Sequence, residues 1–336
     1  MLMGENPQAV VNRVKDHPNL IGYDLMNEPF GKIREGEDIF TAAARVESEQ
    51  LTPMYQRLTD AISAVDSDHW VFIEPPNLAS LGIATSLGQV HGPKVAFYPH
   101  MYDPDIEMAT YSEGGKVQIN PEFFTKWADA ITTYTDKYPM PMLVGEWGIA
   151  SPEKPGMDAF VDLALKTLEE TTSGWSHFQM CWGGGYCPFD SAGNARPNIG
   201  RIFQPYPRGI AGRPEMSRWD PNTRTLRISF TDGSAQGPTS IYLDREATYP
   251  NGYVVETSDA NGSWTQAYDA DTDMLSVDTP DTGGRHVICV KPQGSAPGCT
   301  AEPTAPPSST TTTTPGSRPN TAPPARPVSS NPSYTG

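Results

Sequence analysis

The sequence of 336 residues has no long hydrophobic run, few positive charges and only four cysteines. A membrane-spanning helix needs about 20 consecutive apolar residues, and no such run occurs, so we expect no transmembrane segment. Lys and Arg number 24 against 40 Asp and Glu, which gives a net charge of −16. Because a surface that binds a phosphate backbone needs clustered cations, this balance argues against nucleic acid as a partner.

The four cysteines do not have the paired spacing of zinc ligands. Cys181 and Cys187 bracket three consecutive glycines, and Cys289 and Cys299 lie near the end of the last strand-like segment. No two cysteines are two residues apart, and the sequence holds only six histidines. A zinc site is therefore not expected, which leaves two disulfides, 181–187 and 289–299, or free thiols.

The end of the chain lacks large apolar side chains. Residues 293–336 are rich in Pro, Ser and Thr, including an unbroken threonine run at 310–314. Such a segment buries too little apolar surface to offset the entropy of ordering it, so we predict a disordered tail. Stalks of this composition are common outside the cell and often carry O-linked sugars, but an unmodified linker has the same composition.

The rest of the chain divides into two regions of different pattern. Residues 1–204 alternate helical segments with near-continuous apolar strands, which indicates an α/β fold with a buried parallel sheet. The five predicted strands are 20–29, 69–74, 94–102, 142–147 and 174–182. After a connector at 205–214, residues 215–292 contain short strands between Asp-Gly, Asn-Gly and Gly-Gly turns, which predicts a small antiparallel β-sandwich.

Polar and aromatic side chains collect where the predicted parallel strands give way to loops. In a parallel α/β barrel the active site forms at this edge. Two carboxylates there suit cleavage of a glycosidic bond, because one can protonate the leaving oxygen while the other attacks or stabilises the sugar cation. An amide can hold the sugar 2-OH, a phenol or imidazole can keep a carboxylate ionised, and an indole can stack on the ring. The candidates are Asn27, Glu28, Glu74, His100, Tyr102, Glu146 and Trp182.

Three motifs in this order resemble glycoside hydrolase family 5: NEP at 27–29, HMY at 100–102 and GEWG at 145–148. The segment GYDLMNEP at 22–29 and the trailing β domain resemble the endoglycoceramidase and glucosylceramidase branch of that family. The resemblance covers residues 5–290. It implies a (β/α)8 TIM barrel followed by a β-sandwich.

The resemblance also implies roles for individual residues. Glu28 would be the acid/base and Glu146 the nucleophile of a retaining β-glycosidase that acts by double displacement. Asn27 would contact the sugar 2-OH, and His100 and Tyr102 would position the nucleophile. Trp182 would be the sugar platform. No metal or organic cofactor is implied, because two carboxylates suffice for this chemistry.

The sequence departs from the family in its strand number. A barrel has eight strands over about 250 residues, whereas only five predicted strands, the equivalents of the fourth to the eighth, precede residue 204. No secretory signal opens the chain. We therefore expect that the chain begins downstream of its natural start, that a signal peptide was lost with the front, and that the protein is secreted.

Three functional interpretations follow. The first is a glycosidase that cuts a β-glucoside or glycosphingolipid, acting as a monomer with peripheral contact to lipid. The second is an endo-β-1,4-glucanase acting on polysaccharide. The third is a truncated, inactive carbohydrate-binding remnant.

Other acidic and tryptophan side chains of the first region are interpreted one by one. Glu74 is read equally as a substrate contact, a salt-bridge partner or a loop cap. Asp24 alternates onto the face of Glu28, where it would point into the barrel or wait as a buried acid for a partner. Trp127 and Trp147 are predicted to be core residues.

Overall fold

The computed structural model describes residues 7–108, 115–235 and 237–299 and divides into two compact units at residue 202. The part of the predicted tail from residue 300 onward lies outside the described residues. Within the described ranges, no helix is both long and apolar enough to cross a membrane.

The first unit alternates helices with short parallel strands. Its strands are β1 (Gly22–Asp24), β2 (Trp70–Ile73), β3 (Val95–Phe97), β4 (His100–Met101), β5 (Leu143–Trp147) and β6 (Gly174–His177). Its helices are α1 (Pro7–Val14), α2 (Ile39–Val46), α3 (Thr52–Ser63), α4 (Pro104–Glu107), α5 (Pro121–Lys137), α6 (Met157–Thr171) and α7 (Ile199–Ile202). A π-helical turn, Glu47–Leu51, joins α2 to α3, and a 3₁₀ turn, Asn77–Leu81, follows β2.

The strands form two three-stranded parallel sheets, in the orders β1-β2-β3 and β4-β5-β6. The predicted strand 94–102 contributes both β3 and β4, with a break at Pro99, which has no N–H to donate to a sheet. Main-chain bonds continue across the break: Tyr98 donates to Ile73 at 2.9 Å, and Gly145 donates to the carbonyl of Pro99 at 3.0 Å. One segment therefore links the two sheets and leads directly to residues 100–102.

The helices bury an apolar face against these sheets. Asp38 and Asn120 cap the N-termini of α2 and α5, because their side chains accept main-chain N–H groups of the first turn. Trp127 and Trp147 are fully buried in the main core cluster, as predicted. The Trp127 indole N–H donates to the carbonyl of His100 at 2.8 Å, which ties the main chain of β4 to α5.

The second unit consists of two four-stranded antiparallel sheets, ordered β12-β13-β10-β7 and β11-β14-β9-β8. Its strands are β7 (Tyr206–Gly209), β8 (Arg213–Asp220), β9 (Thr225–Thr231), β10 (Thr239–Tyr242), β11 (Tyr253–Thr257), β12 (Thr265–Asp269), β13 (Met274–Asp278) and β14 (Arg285–Pro292), with a short helix α8 (Arg245–Thr248). Its core is aliphatic and aromatic, centred on Ile228, Phe230, Leu275, Val277 and Ile288.

Three of these strands differ from the sequence-based expectation. The stretch 205–214, expected to be a connector, contains β7 and the start of β8, and β12 is not predicted at all. All three lie at sheet edges. An edge strand tolerates proline and faces solvent, so it lacks the apolar alternation that marks a central strand.

The second unit extends beyond the boundary at residue 292. Cys289 and Cys299 form a disulfide, and the main-chain N–H groups of Gly298 and Cys299 donate to Glu256 at 3.3 and 3.2 Å. Residues 293–299, assigned to the tail from their composition, are therefore held against the last strands. Cys181 and Cys187 form the other disulfide, so the disulfide alternative is confirmed for both pairs over free thiols.

Candidate active site

Glu28 and Glu146 converge at the carboxyl edge of the parallel strands. Glu146 lies on β5, and Glu28 follows β1 in a turn. One carboxylate oxygen of each, together with one ring nitrogen of His100, lies within 4.8 Å of the other two atoms. Both carboxylates remain accessible, with side-chain exposures of 34 % and 25 %. The two acids 118 positions apart in the sequence (146 − 28) therefore share one small polar cluster.

His100 lies between the carboxylates and is almost completely buried. Its Nδ1 is 3.0 Å from Oε1 of Glu28 and 3.6 Å from Oε2 of Glu146, and its Nε2 is 3.4 Å from Oε1 of Glu74. Burial by itself lowers the pKa of the imidazole. The hydrogen bonds and negative charges of the three glutamates outweigh burial and raise the pKa of His100 to about 10. The ring is therefore a cation at neutral pH.

Tyr102 supplies a hydrogen-bond donor to Glu146. Its hydroxyl donates to Oε2 at 2.9 Å. Burial first, and then the charge of Glu146, raise the pKa of Tyr102 far above its ordinary value, so the phenol keeps its proton. Tyr102 and the imidazolium of His100 thus both lie against the Glu146 carboxylate.

The main chain at Glu28 adopts the left-handed conformation, with φ of 42°. A residue with a side chain rarely takes this conformation, which costs on the order of 1–3 kcal/mol and persists only where neighbouring contacts impose it. Here the N–H of Glu28 donates to Oε2 of Glu74 at 2.7 Å. Glu74 is buried, and its own carbonyl accepts the hydroxyl of Tyr55 at 2.9 Å. Of the three interpretations of Glu74, the structure shows the salt bridge and the loop cap together.

The neighbour of Asp24 is a second acid, Glu74. Its side chain retains exposed surface, yet desolvation by surrounding atoms, followed by the charge and hydrogen bond of Glu74, raises the pKa of Asp24 to about 7. The shift is upward because two acids this close cannot both ionise freely.

Asn27 and Trp182 are the two sequence candidates that the structure leaves outside the cluster. Asn27 is exposed beside Glu28. Trp182 was expected at the end of a strand, but β6 ends at His177 and Trp182 lies in the loop beyond it, 62 % exposed. The Trp182 indole stacks on Phe189 with ring centroids 6.0 Å apart.

Two residues that the sequence analysis missed lie next to the site. The Tyr186 hydroxyl donates to Glu107, and its ring lies edge-on to Tyr102 at 6.0 Å. Burial, then Glu107, and then the charges of Glu146 and Glu28 raise the pKa of Tyr186, so this phenol also stays protonated. Tyr186 belongs to the loop that the Cys181–Cys187 disulfide closes. The sequence signal for Tyr186 is a tyrosine between two cysteines that can pair, shortly after a strand of the parallel sheet.

The spacing of Glu28, His100 and Glu146 would also suit three ligands of one metal ion. A protonated imidazole, however, has no lone pair to offer a metal. A metal bound here would therefore have to displace the proton that the three surrounding carboxylates favour on His100.

Comparisons with known proteins agree with this geometry. Residues 5–183 match the model of the cellulase family, glycosyl hydrolase family 5, and residues 204–290 match the glycoside hydrolase family 5 C-terminal domain. Endoglycoceramidase I of Rhodococcus hoagii is 24 % identical over 261 residues, which cover 74 % of this chain and 49 % of that protein. An endoglycoceramidase of Hydra vulgaris is 23 % identical over 72 % of this chain and 45 % of its own length. The chain thus spans about half the length of these relatives.

Among solved structures, endo-glycoceramidase II from Rhodococcus sp. superposes with a TM-score of 0.72 at 26 % identity, covering 85 % of this chain and 62 % of that one. The first unit accordingly has a TIM-barrel fold and the second carries the C-terminal antiparallel sheets. The cellulase-family match at residues 5–183 alone spans more than half of the 336-residue chain. The resemblance seen in the three motifs is confirmed, and the chain belongs to glycoside hydrolase family 5.

Proposed function

We propose that this protein is a retaining β-glycosidase that cleaves the bond between a glycan and ceramide. The observation that carries the proposal is the separation of Glu28 and Glu146, whose nearest oxygens lie within 4.8 Å. Retaining glycosidases hold their two carboxyl groups about 5–5.5 Å apart, whereas inverting enzymes need about 6.5–9.5 Å to admit a water.

Glu146 is the nucleophile in this mechanism. Tyr102 donates to it and the His100 cation lies 3.6 Å away, so both contacts fix the orientation of this carboxylate. It attacks the anomeric carbon and forms a covalent glycosyl-enzyme, while the glycosidic oxygen leaves with the bonding electrons.

Glu28 is the acid/base. It is the more exposed of the two carboxyl groups, and no phenol donates to it among the described contacts, so it is the more accessible to the leaving group and to water. It gives a proton to the departing oxygen. Once Glu146 is esterified and its charge is gone, Glu28 takes a proton from water, which then attacks the anomeric carbon and releases the sugar.

The relatives support the substrate class. The similar proteins are named endoglycoceramidases, and endo-glycoceramidase II has been solved with ganglioside GM3 and as a lactosyl-enzyme intermediate. We propose by extension that Asn27 holds the sugar 2-OH and that Trp182 offers a stacking surface. The two disulfides fit secretion into an oxidising compartment, which we propose together with a monomeric state.

The second candidate function is an endo-β-1,4-glucanase. The matching family model is that of a cellulase, which favours a polysaccharide substrate. The third candidate is a non-catalytic carbohydrate-binding remnant, which the same assays test.

Turnover assays distinguish these candidates. We expect purified protein to hydrolyse aryl β-lactosides and lactosylceramide with retention at the anomeric carbon, as read by proton NMR. Carboxymethylcellulose should be a poor substrate. Glu146→Gln should abolish turnover, and a 2-deoxy-2-fluoro glycoside should label Glu146 as detected by peptide mass spectrometry.

Glu28→Gln should lose activity on ceramide-linked substrates but still form the glycosyl-enzyme from substrates with good leaving groups, because these need no acid. Added azide should then yield a β-glycosyl azide. Activity that survives Glu146→Gln would contradict the residue assignment. Absence of any turnover would favour the remnant, and turnover of the cellulose substrate alone would favour the glucanase.

A further inference from the structure

Glu74 is a buried carboxylate that contacts two members of the proposed catalytic cluster. Only 1 % of its surface is exposed. Its Oε2 accepts the main-chain N–H of Glu28 at 2.7 Å, and its Oε1 lies 3.4 Å from Nε2 of His100. A buried carboxylate without a positive partner is strongly destabilising. The imidazole is the ion-pair partner that the described contacts give it.

One atom of Glu74 and one of His100 are buried, lie 3.4 Å apart and lack a hydrogen bond. Oε1 of Glu74 and Nε2 of His100 are both closed to solvent, and among residues 7–108, 115–235 and 237–299 neither atom forms a hydrogen bond, so each is the nearest charged partner of the other. The other ring nitrogen, Nδ1, contacts Glu28 at 3.0 Å. Because a carboxylate oxygen lies at each nitrogen, ionised partners on both sides favour a ring that carries two protons.

We propose that Glu74 is a positioning residue, which acts through Glu28 and His100 and not on the substrate; this inference rests on the proposed function. One of its oxygens fixes the left-handed main chain that directs Glu28 toward the sugar. The other keeps His100 doubly protonated, so that the ring presents a positive charge to both catalytic carboxylates.

The charge on His100 controls how a proton is shared in the cluster. The titratable groups that face the ring are Asp24, Glu28, Glu74, Tyr102 and Glu146. Glu74 differs from the others because it is buried, stays out of the reaction, and contacts the main chain of Glu28 with one oxygen and the His100 ring with the other. Removing its charge leaves the ring with fewer anions to offset burial, so the pKa of His100 must fall.

The variant Glu74→Gln tests this role, with Glu47→Gln as the matched control. Glu47 is another buried glutamate of the same unit, and it accepts hydrogen bonds from Thr85 and from the N–H of Ser86, away from the cluster. Imidazole titrations by ¹⁵N NMR on the full chain, with the His100 signal assigned through His100→Gln, report the protonation state without requiring activity. Kinetics on an aryl β-lactoside across pH report the catalytic effect.

In the wild type we expect His100 to stay doubly protonated up to about pH 10, and in Glu74→Gln to lose a proton at least tenfold more readily. Turnover should fall about 10- to 100-fold with KM within twofold, since the loss concerns alignment and not binding. Glu74→Asp, which keeps the charge but is one methylene shorter, should restore part of both signals. Glu47→Gln should change neither.

Two results would overturn the inference. One is a His100 titration in Glu74→Gln that matches the wild type, whatever the activity. The other is a titration of the wild-type protein in which His100 loses its second proton near the ordinary imidazole pKa of about 6.5. That measurement does not depend on the folding of any variant. If the chain shows no glycosidase activity at all, the proposed function fails, but the NMR measurements still decide whether Glu74 holds the proton on His100.

Discussion

Opening the Cys181–Cys187 disulfide should lower activity more than stability. The bond closes a loop whose ends are six positions apart and which carries Tyr186 against Glu107 and beside Tyr102. In the chain-entropy treatment, a closed loop of this length restricts the open chain by about 2 kcal/mol at 25 °C. If that restriction orders the loop in the native state, losing it shifts the balance between the ordered and open loop by about 30-fold.

The matched comparison uses the two disulfides of the same chain. The double variant Cys181→Ser/Cys187→Ser should lose up to about 30-fold in kcat/KM on an aryl β-lactoside, because the open loop withdraws Tyr186 from the site. The double variant Cys289→Ser/Cys299→Ser opens a loop ten positions long in the other unit. It should keep kcat/KM and instead lose about 3 kcal/mol of unfolding free energy.

Steady-state kinetics and urea unfolding of both double variants provide the assay. The loop also has a contact that does not depend on the disulfide, since Arg196 donates to the carbonyls of Gly185 and Cys187 at 2.6 and 2.8 Å. Adding Arg196→Met to the opened loop should therefore lower activity further. The reasoning is refuted if the Cys181→Ser/Cys187→Ser variant retains wild-type kcat/KM while the other pair loses it.

Three further predictions concern single groups. Tyr102→Phe removes a hydrogen bond to the Glu146 carboxylate, and such a bond contributes about 1.5–3 kcal/mol. We therefore expect kcat/KM to fall about 10- to 100-fold while the far-UV circular dichroism is unchanged. A variant with the wild-type kcat/KM would contradict the role of this phenol. The folded-state pKa of His100 is raised to about 10. Its contribution to the free energy of unfolding is therefore fully present below about pH 6.5 and is lost as pH rises through 10. In thermal melts, His100→Gln should reduce the loss of melting temperature between neutral and alkaline pH. Burial raises the pKa of Glu256, but the hydrogen bond and charge of Lys291 outweigh burial and lower the pKa. The contribution of this pair to the free energy of unfolding is therefore present above about pH 4.3 and is lost in acid. Glu256→Gln should reduce the acid sensitivity of the second unit in urea unfolding measured across pH.

Much of the site is predictable from sequence because it follows a simple rule of parallel sheets. Glu28, His100, Tyr102 and Glu146 each end or follow an apolar strand, and the carboxyl ends of parallel strands meet at one edge. Alternation along a strand also places residues 100 and 102 on one face. The convergence of these four side chains requires only the strand assignment, which the apolar runs make plain.

The contacts of Glu74 and Tyr186 do not follow from such a rule. Glu74 matters because the turn after β1 takes a left-handed conformation at Glu28, and no glycine or asparagine marks that position in the sequence. Tyr186 reaches the site through a loop whose path depends on a disulfide and on Glu107, 79 positions away. Trp182 was misplaced for the opposite reason, since an apolar pattern continues past the point where β6 stops pairing.

The second unit shows the same limit for its strands. Central strands such as β9 and β14 carry apolar side chains on buried positions and are readily assigned. The edge strands β7, β8 and β12 pair on one side only and carry proline or polar residues. Their existence depends on the neighbour they bind, which is a property of the whole sheet and not of the local sequence.

The break at Pro99 has a consequence for protein engineering. Residues 95–102 pair with β2 before the break and with β5 after it, so one short peptide sets the mutual placement of two separate sheets and of the two side chains that touch Glu146. A graft of this site onto another scaffold would have to carry the whole peptide as a single cassette. Introducing only a histidine and a tyrosine equivalent to His100 and Tyr102 into another scaffold would transfer the functional groups without the bend that aligns them.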